Sequence, residues 1–212
     1  MATHLTPSDD ELLRLMMAGD EAAFTALYRR RHAGVYRFAL QMSGSETIAE
    51  DVTQEVFLAL MSDATRFDST RGSLSSYLYG IARNHVLRRL ERDRPFVQIA
   101  DDSSEGGEQQ QQANWVALDN PHDELQRNEM IGRLRQAVLA LPEHYREVVV
   151  LCDLHEMSYV EAANALGCAI GTVRSRLHRA RALLLGKLNA SITTNQEGTN
   201  PGESFKTARC FA

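Results

Sequence analysis

The sequence predicts an all-α protein of two small helical domains joined by a flexible acidic linker. Three observations carry this expectation. Apolar residues recur at three- and four-residue steps on both sides of the chain's middle, and Ser, Asp and Gly stand where helices start and stop. Between the two helical stretches lies a segment poor in apolar residues and rich in acid. At 212 residues with 43% hydrophobic side chains, the chain is long enough to bury one or two cores.

The first helix is predicted from Ser8, which has Glu11 at the spacing of a capping box, and it stops at Gly19. Asp20 caps a second helix carrying Phe24, Leu27, Tyr28, Val35, Phe38 and Ala39, which ends at Ser43-Gly44-Ser45. A third places Ile48, Val52, Val56 and Leu60 four residues apart. A fourth, from about Ser73 to Arg92, turns Leu74, Tyr77, Leu78, Ile81, Ala82 and Val86 inward. Four amphipathic helices make residues 11–94 one bundle, after an extension at 1–10.

Residues 95–126 carry seven Asp and Glu but no Lys or Arg, with a Gln run at 109–112, and are read as the linker. Its apolar residues Trp115, Val116 and Leu118 fit docking on a partner and an incidental place on a solvated tether equally well. Helical spacing resumes with Ile131, Leu134, Val138 and Leu141, and Pro142 suits the first position of a further helix. The run Val148 to Cys152 fits a strand or a buried helix of about 13 residues, and its flanks favour the helix. Residues 127–190 form the second domain; 191–212, polar and without apolar period, are read as a disordered tail.

The net charge of −5 argues against a nucleic-acid partner only until it is divided. The linker holds the surplus acid, whereas 127–190 carries nine basic against six acidic residues, and no acid falls between Glu161 and Glu197. No apolar stretch approaches the roughly 18 residues of a membrane span, and the start Met1-Ala2-Thr3-His4 lacks a secretory pattern, so no membrane insertion and a cytoplasmic location are expected. Cys152, Cys168 and Cys210 are too few for a disulfide scaffold. With His155 they lack a complete zinc-ligand pattern, so buried structural thiols and no metal are expected.

Ser158 and Glu161 form a second capping box; Val160, Ala163 and Leu166 give that short helix an inner face and Gly167 ends it. After a turn, a helix from about Ile170 sets Val173, Leu177, Ala180 and Leu184 within about 60° of one another. Gly171, Ser175, His178 and Ala182 lie opposite, flanked by Arg174 and Arg179, with Arg176, Arg181 and Lys187 elsewhere around the cylinder. Two helices so joined, the second with a small or polar outer face framed by arginines, are a helix-turn-helix suited to the major groove. Arginines there can pair with guanine edges or bind phosphates. An amphipathic surface helix would normally mix the signs of its charges.

Gly171-Thr172-Val173-Arg174-Ser175-Arg176-Leu177-His178-Arg179-Ala180-Arg181, preceded by Leu141-Pro142 and by Ser158 to Ala163, resembles the promoter-upstream-element reader of the extracytoplasmic-function (ECF, group-four) RNA polymerase sigma factors. Ala49 to Leu58 resembles that family's clamp-binding helix, and Tyr77 to Asn84 its promoter-melting helix. The resemblance covers nearly all of 11–187. It implies a sigma factor, not an enzyme, that takes no cofactor. Its partners would be the clamp helices of core RNA polymerase, double- and single-stranded promoter DNA, and in some members an anti-sigma factor.

Carried over by motif, the upstream element would meet Gly171, Thr172, Arg174, Ser175, Arg176, His178, Arg179 and Arg181. The melted downstream element would meet Phe67, Arg71, Ser73, Tyr77, Asn84, Arg88 and Arg89, whose rings, donors and cations suit an unstacked base on a single strand. Ser73 fits a plain N-cap, and Phe67 core packing, equally well. Asp51, Gln54, Glu55 and Leu58, on an outer stripe of the third helix, would dock polymerase together with Phe57, which on the helical wheel suits the core edge equally.

Two positions depart from the family pattern. Tyr77 stands where Trp is usual, and Ala169 where a capping Ser is common, a loss worth about 1 kcal/mol. A sigma-like decoy would lack the arginine-rich helix, and a recombinase-type enzyme would need a further catalytic domain. A simple repressor would need neither the docking stripe nor the acidic linker.

Overall fold

The computed structural model describes residues 7–93 and 121–196. Helices α1 (Asp9–Met17), α2 (Glu21–Ser43), α3 (Glu46–Ser62) and α4 (Leu74–Asp93) form the first unit, with a 3-10 turn at Ala64–Arg66 between α3 and α4. The second unit comprises α5 (Pro121–Leu139), α6 (Glu143–Val149), α7 (Tyr159–Leu166) and α8 (Ile170–Gln196). No strand occurs among the described residues, so the run from Val148 is helical.

The caps expected at Ser8 and Asp20 form, the first only by its hydroxyl half, and Ser45 adds one not expected from the sequence. Ser8 Oγ accepts from Glu11 N, Asp20 Oδ1 from Ala22 N and Ala23 N, and Ser45 Oγ from Ile48 N. Each satisfies an amide that the first helical turn leaves free. Gly44 ends α2 at φ 73°, a backbone state a side chain would strain, and donates to Leu40 O. In α7 the capping box is complete: Ser158 Oγ accepts from Glu161 N, and Glu161 Oε2 accepts from Ser158 N.

Five details depart from the expectation. Helix α5 already begins at Pro121, within the stretch read as linker, and α8 runs on to Gln196, within the stretch read as tail. Residues 94–120, with Trp115, and 197–212 lie outside the described residues. Pro142 is the N-cap of α6, one position ahead of the helix proper. Val160, expected inward, is 54% exposed, and Ala162 joins Ala163 inside instead. Finally, α6 continues into one π turn, Val150–Leu154, closed by His155 N–H on Val150 O. The wider turn delivers Asp153 to α8 and His155 to the first unit.

Phe38, Leu27, Met42, Val52, Val56, Leu60, Leu74 and Leu78 fill the first core; Val148, Leu151, Ala162, Val173 and Leu177 fill the second. The two cores form one continuous cluster because the units pack on each other, chiefly α4 on α7 and α2 on α5. Gly80 lets the α4 backbone approach that of α7, since a Cβ there would sit 3.2 Å from the Ala165 carbonyl oxygen.

Polar contacts cross the same boundary. Arg83 Nε donates to Glu147 Oε1 at 2.5 Å, and Ser73 Oγ to Glu161 Oε1 at 3.1 Å. The His155 ring bridges Tyr79 Oη at 3.0 Å and Gln41 Oε1 at 2.9 Å. Arg146 donates to the carbonyls of Met42, Leu139 and Leu141, tying together the ends of α2 and α5.

Candidate nucleic-acid and polymerase interfaces

Helix α8 is anchored by Val173, Leu177 and Ala180, all buried, with Leu184 half-buried. That orientation leaves Gly171, Arg174, Ser175, His178, Arg179, Arg181 and Ala182 exposed, and Thr172 and Arg176 half-buried. Ser175 Oγ donates to Thr172 O at 3.0 Å, which holds the hydroxyl against its own helix. The arginines are held differently. Arg181 donates from Nε and Nη2 to both oxygens of Asp153, at 3.1 and 2.5 Å, and those bonds push its pKa up. The Arg174 guanidinium lies 5.8 Å over the Tyr159 ring. Neither Asp153 nor Tyr159 stands out in the sequence, because the fold, and not the spacing within α8, brings them to its arginines.

In the first unit, Tyr77, Asn84 and Arg88 recur along α4 at seven- and four-residue steps, which places them on one stripe. Asn84 and Arg88 are exposed and Tyr77 is half-buried, its ring centroid 5.6 Å from that of Phe67. Arg71 and Ser73 are exposed at the start of the helix. Ser73 is an N-cap, accepting from Ser76 N at 3.3 Å, and it also reaches Glu161 of α7. Phe67 packs against the core while keeping part of its ring at the surface.

Arg89 departs from this stripe. It turns to α3 and donates to Asp51 Oδ2 at 2.6 Å and Glu55 Oε1 at 2.7 Å, while His85 Nδ1 lies 2.5 Å from Glu55 Oε2. A cation expected to face DNA is therefore bound to two carboxylates expected to face polymerase. The hydrogen bonds Arg89 donates to Glu55, then to Asp51, raise its pKa.

On α3, Gln54 is exposed and Leu58 is 60% exposed, as a docking stripe requires. Met61, one turn further on, extends that apolar surface; its spacing from Leu58 was the available signal. Phe57 does not belong to the stripe. It is 3% exposed, its ring edge-on to Tyr28 at 4.7 Å, because the α3 stripe facing α2 reaches one position further than the spacing of four suggests.

Among the described residues no three His, Cys, Asp or Glu side chains are placed to hold a metal ion. Cys152 and Cys168 are half-buried rather than buried, and burial pushes the Cys152 thiol up to about 11, where it is protonated and unreactive. No helix among the described residues is long and apolar enough to cross a membrane.

A four-helix unit packed against an arginine-framed helix-turn-helix is the architecture of a sigma-type transcription initiation factor. The chain matches Sigma-70 region 2 over residues 27–95 and Sigma-70, region 4 over residues 131–184. It is 30% identical over 178 residues to the ECF RNA polymerase sigma factor SigW of Bacillus subtilis, covering 83% of this chain and 94% of that protein. Identity to the ECF RNA polymerase sigma factor SigM of Mycobacterium tuberculosis is 33% over 192 residues, 87% and 88% of the two chains.

Among solved structures, CnrH in complex with the cytosolic domain of CnrY aligns at a TM-score of 0.63 and 27% identity, over 86% of this chain and 97% of that one. RpoE in complex with the anti-sigma factor NepR from Bartonella quintana shares the fold at a TM-score of 0.58 and 24% identity, over 78% and 96%. The chain belongs to the ECF RNA polymerase sigma factors, which are DNA-binding initiation factors and not enzymes.

Proposed function

We propose that the first unit, residues 11–94, binds the polymerase clamp and melts the downstream promoter element, while the second, 127–190, reads the upstream element. The upstream role rests on the α8 face: Gly171, Ser175, His178 and Ala182 are all solvent-facing, with Arg174 and Arg179 at the edges. Small residues there allow a helix to sit deep in the major groove. The downstream role rests on the Tyr77, Asn84 and Arg88 stripe beside Phe67, Arg71 and Ser73. Arg89 joins it only if Asp51 and Glu55 let go. Polymerase docking rests on Gln54 and Leu58, extended by Met61. This places the protein in the cytoplasm with core RNA polymerase and promoter DNA as partners.

An anti-sigma factor is a further partner, supported by the solved complexes of CnrH with CnrY and RpoE with NepR. The test combines the purified chain with bacterial core RNA polymerase and a genomic promoter library, beside a Gln54→Ala/Leu58→Ala variant. Specific run-off transcripts that disappear with the variant are the expected result. DNA binding without polymerase association would replace the proposal with a repressor.

A further inference from the structure

We propose that Tyr159 is a positioning residue for base recognition: its ring is the platform that aims the Arg174 guanidinium at a base edge of the upstream element. The inference rests on the assignment of α8 as the upstream reader. It begins from the unequal treatment of the arginines on that helix. Arg181 has its donor edge filled by the Asp153 carboxylate. Arg176 is half-buried on the side of Glu147, whose carboxyl feels its charge. Arg179 is exposed on the opposite edge. Arg174 alone lies over an aromatic ring.

That difference is chemical. A guanidinium recognises guanine through its in-plane N–H groups, two of which bond O6 and N7. A carboxylate partner occupies those same N–H groups, whereas a ring face engages the flat side of the cation and leaves the N–H edge open. Tyr159 thus restrains Arg174 without consuming the donors that reading a base requires. The platform is itself fixed. Tyr159 is the first residue of α7, directly after the Ser158 N-cap, and the reciprocal Ser158 and Glu161 bonds set the start of that helix. Arg174 and Arg181 are two turns apart on one side of α8, and Tyr159 and Asp153 line that side, so the edge nearest α7 holds one arginine ready and one engaged.

The test uses holoenzyme assembled from the full chain and bacterial core RNA polymerase, offered promoter duplexes randomised across the upstream element. Bound sequences are compared for wild type, Arg174→Ala, Tyr159→Phe, Tyr159→Leu and Tyr159→Ala. Arg174→Ala should flatten the base preference at one position. Tyr159→Ala and Tyr159→Leu should lower that same preference about two- to fivefold, the scale of an exposed cation–π contact, while Tyr159→Phe retains it. A purely structural role for Tyr159 would not act on one base position, nor be rescued by Phe and not by Leu. Flattening by Arg174→Ala with no effect of Tyr159→Ala would overturn the inference and leave the reader assignment standing. A uniform loss across all sequences in both Tyr159→Phe and Tyr159→Ala would overturn it in favour of a direct hydroxyl contact with the DNA backbone. An unchanged preference in Arg174→Ala would remove the reader assignment and the inference together.

Discussion

Arg83 and Glu147 show how much one pair can carry. Glu147 is 1% exposed, and its burial raises the carboxyl pKa against the opposing pull of Arg83. Removing the arginine strands a buried acid, so Arg83→Ala is expected to destabilise the protein by about 3 kcal/mol in urea unfolding. Replacing both residues, Arg83→Met with Glu147→Leu, should recover most of that loss; equal destabilisation of the single and double variants would mean the pair carries no such role. Neighbours on α3 differ just as sharply. Phe57→Ala should cost about 3–5 kcal/mol of stability, whereas Leu58→Ala should leave thermal unfolding nearly unchanged and weaken polymerase binding. Leu58 faces outward because the spacing of its buried neighbours fixes the face. Phe57 lies at the border of two faces, where spacing alone assigns it to neither.

The helices themselves were legible because their ends are written in local chemistry. Ser8, Asp20 and Ser158 cap, and Gly44 and Gly167 terminate, where the sequence places them. What escaped was set by packing and backbone geometry that apolar spacing does not record. Val160 has apolar spacing but faces solvent, since Ala162 and Ala163 take the inner side of α7. The π turn at Val150–Leu154 leaves no mark in an apolar run, yet it brings Asp153 to Arg181. Helix α8 starts after Ala169, whose side chain offers no oxygen to the free amides of the first turn. Ala169→Ser is therefore expected to raise stability by about 1 kcal/mol, read as an increase in melting temperature. No increase would mean that those amides are already satisfied in another way.

At the scale of the whole molecule, the division into two helical units was legible and their packing was not. Arg83, Glu147, Gln41, Tyr79 and His155 look like unrelated polar residues until the chain folds back. His155 links the packing to pH. With Nε2–H donating to Gln41 Oε1 and Nδ1 accepting from the Tyr79 hydroxyl, the ring is satisfied when neutral, and burial, helped by Arg37, pushes its pKa down to about 4. A lowered imidazole pKa stabilises the packed form above about 6.5, and that stability is lost as pH falls towards 4. Between pH 7 and pH 5 the loss should be about 2 kcal/mol. Glu147, with a raised pKa, acts in the opposite sense, penalising the packed form less as it becomes protonated. The two separate in a His155→Gln variant: in small-angle scattering wild type should expand on acidification and the variant should not; identical profiles would exclude His155 as the cause.

The packing of α4 on α7 and α2 on α5 has one more consequence. These contacts join residues 7–93 to residues 121–196, and the peptide between them keeps the two halves at high effective concentration. Cleaved within that stretch, the protein becomes a heterodimer of two fragments. Their association then obeys mass action, and dilution alone separates them.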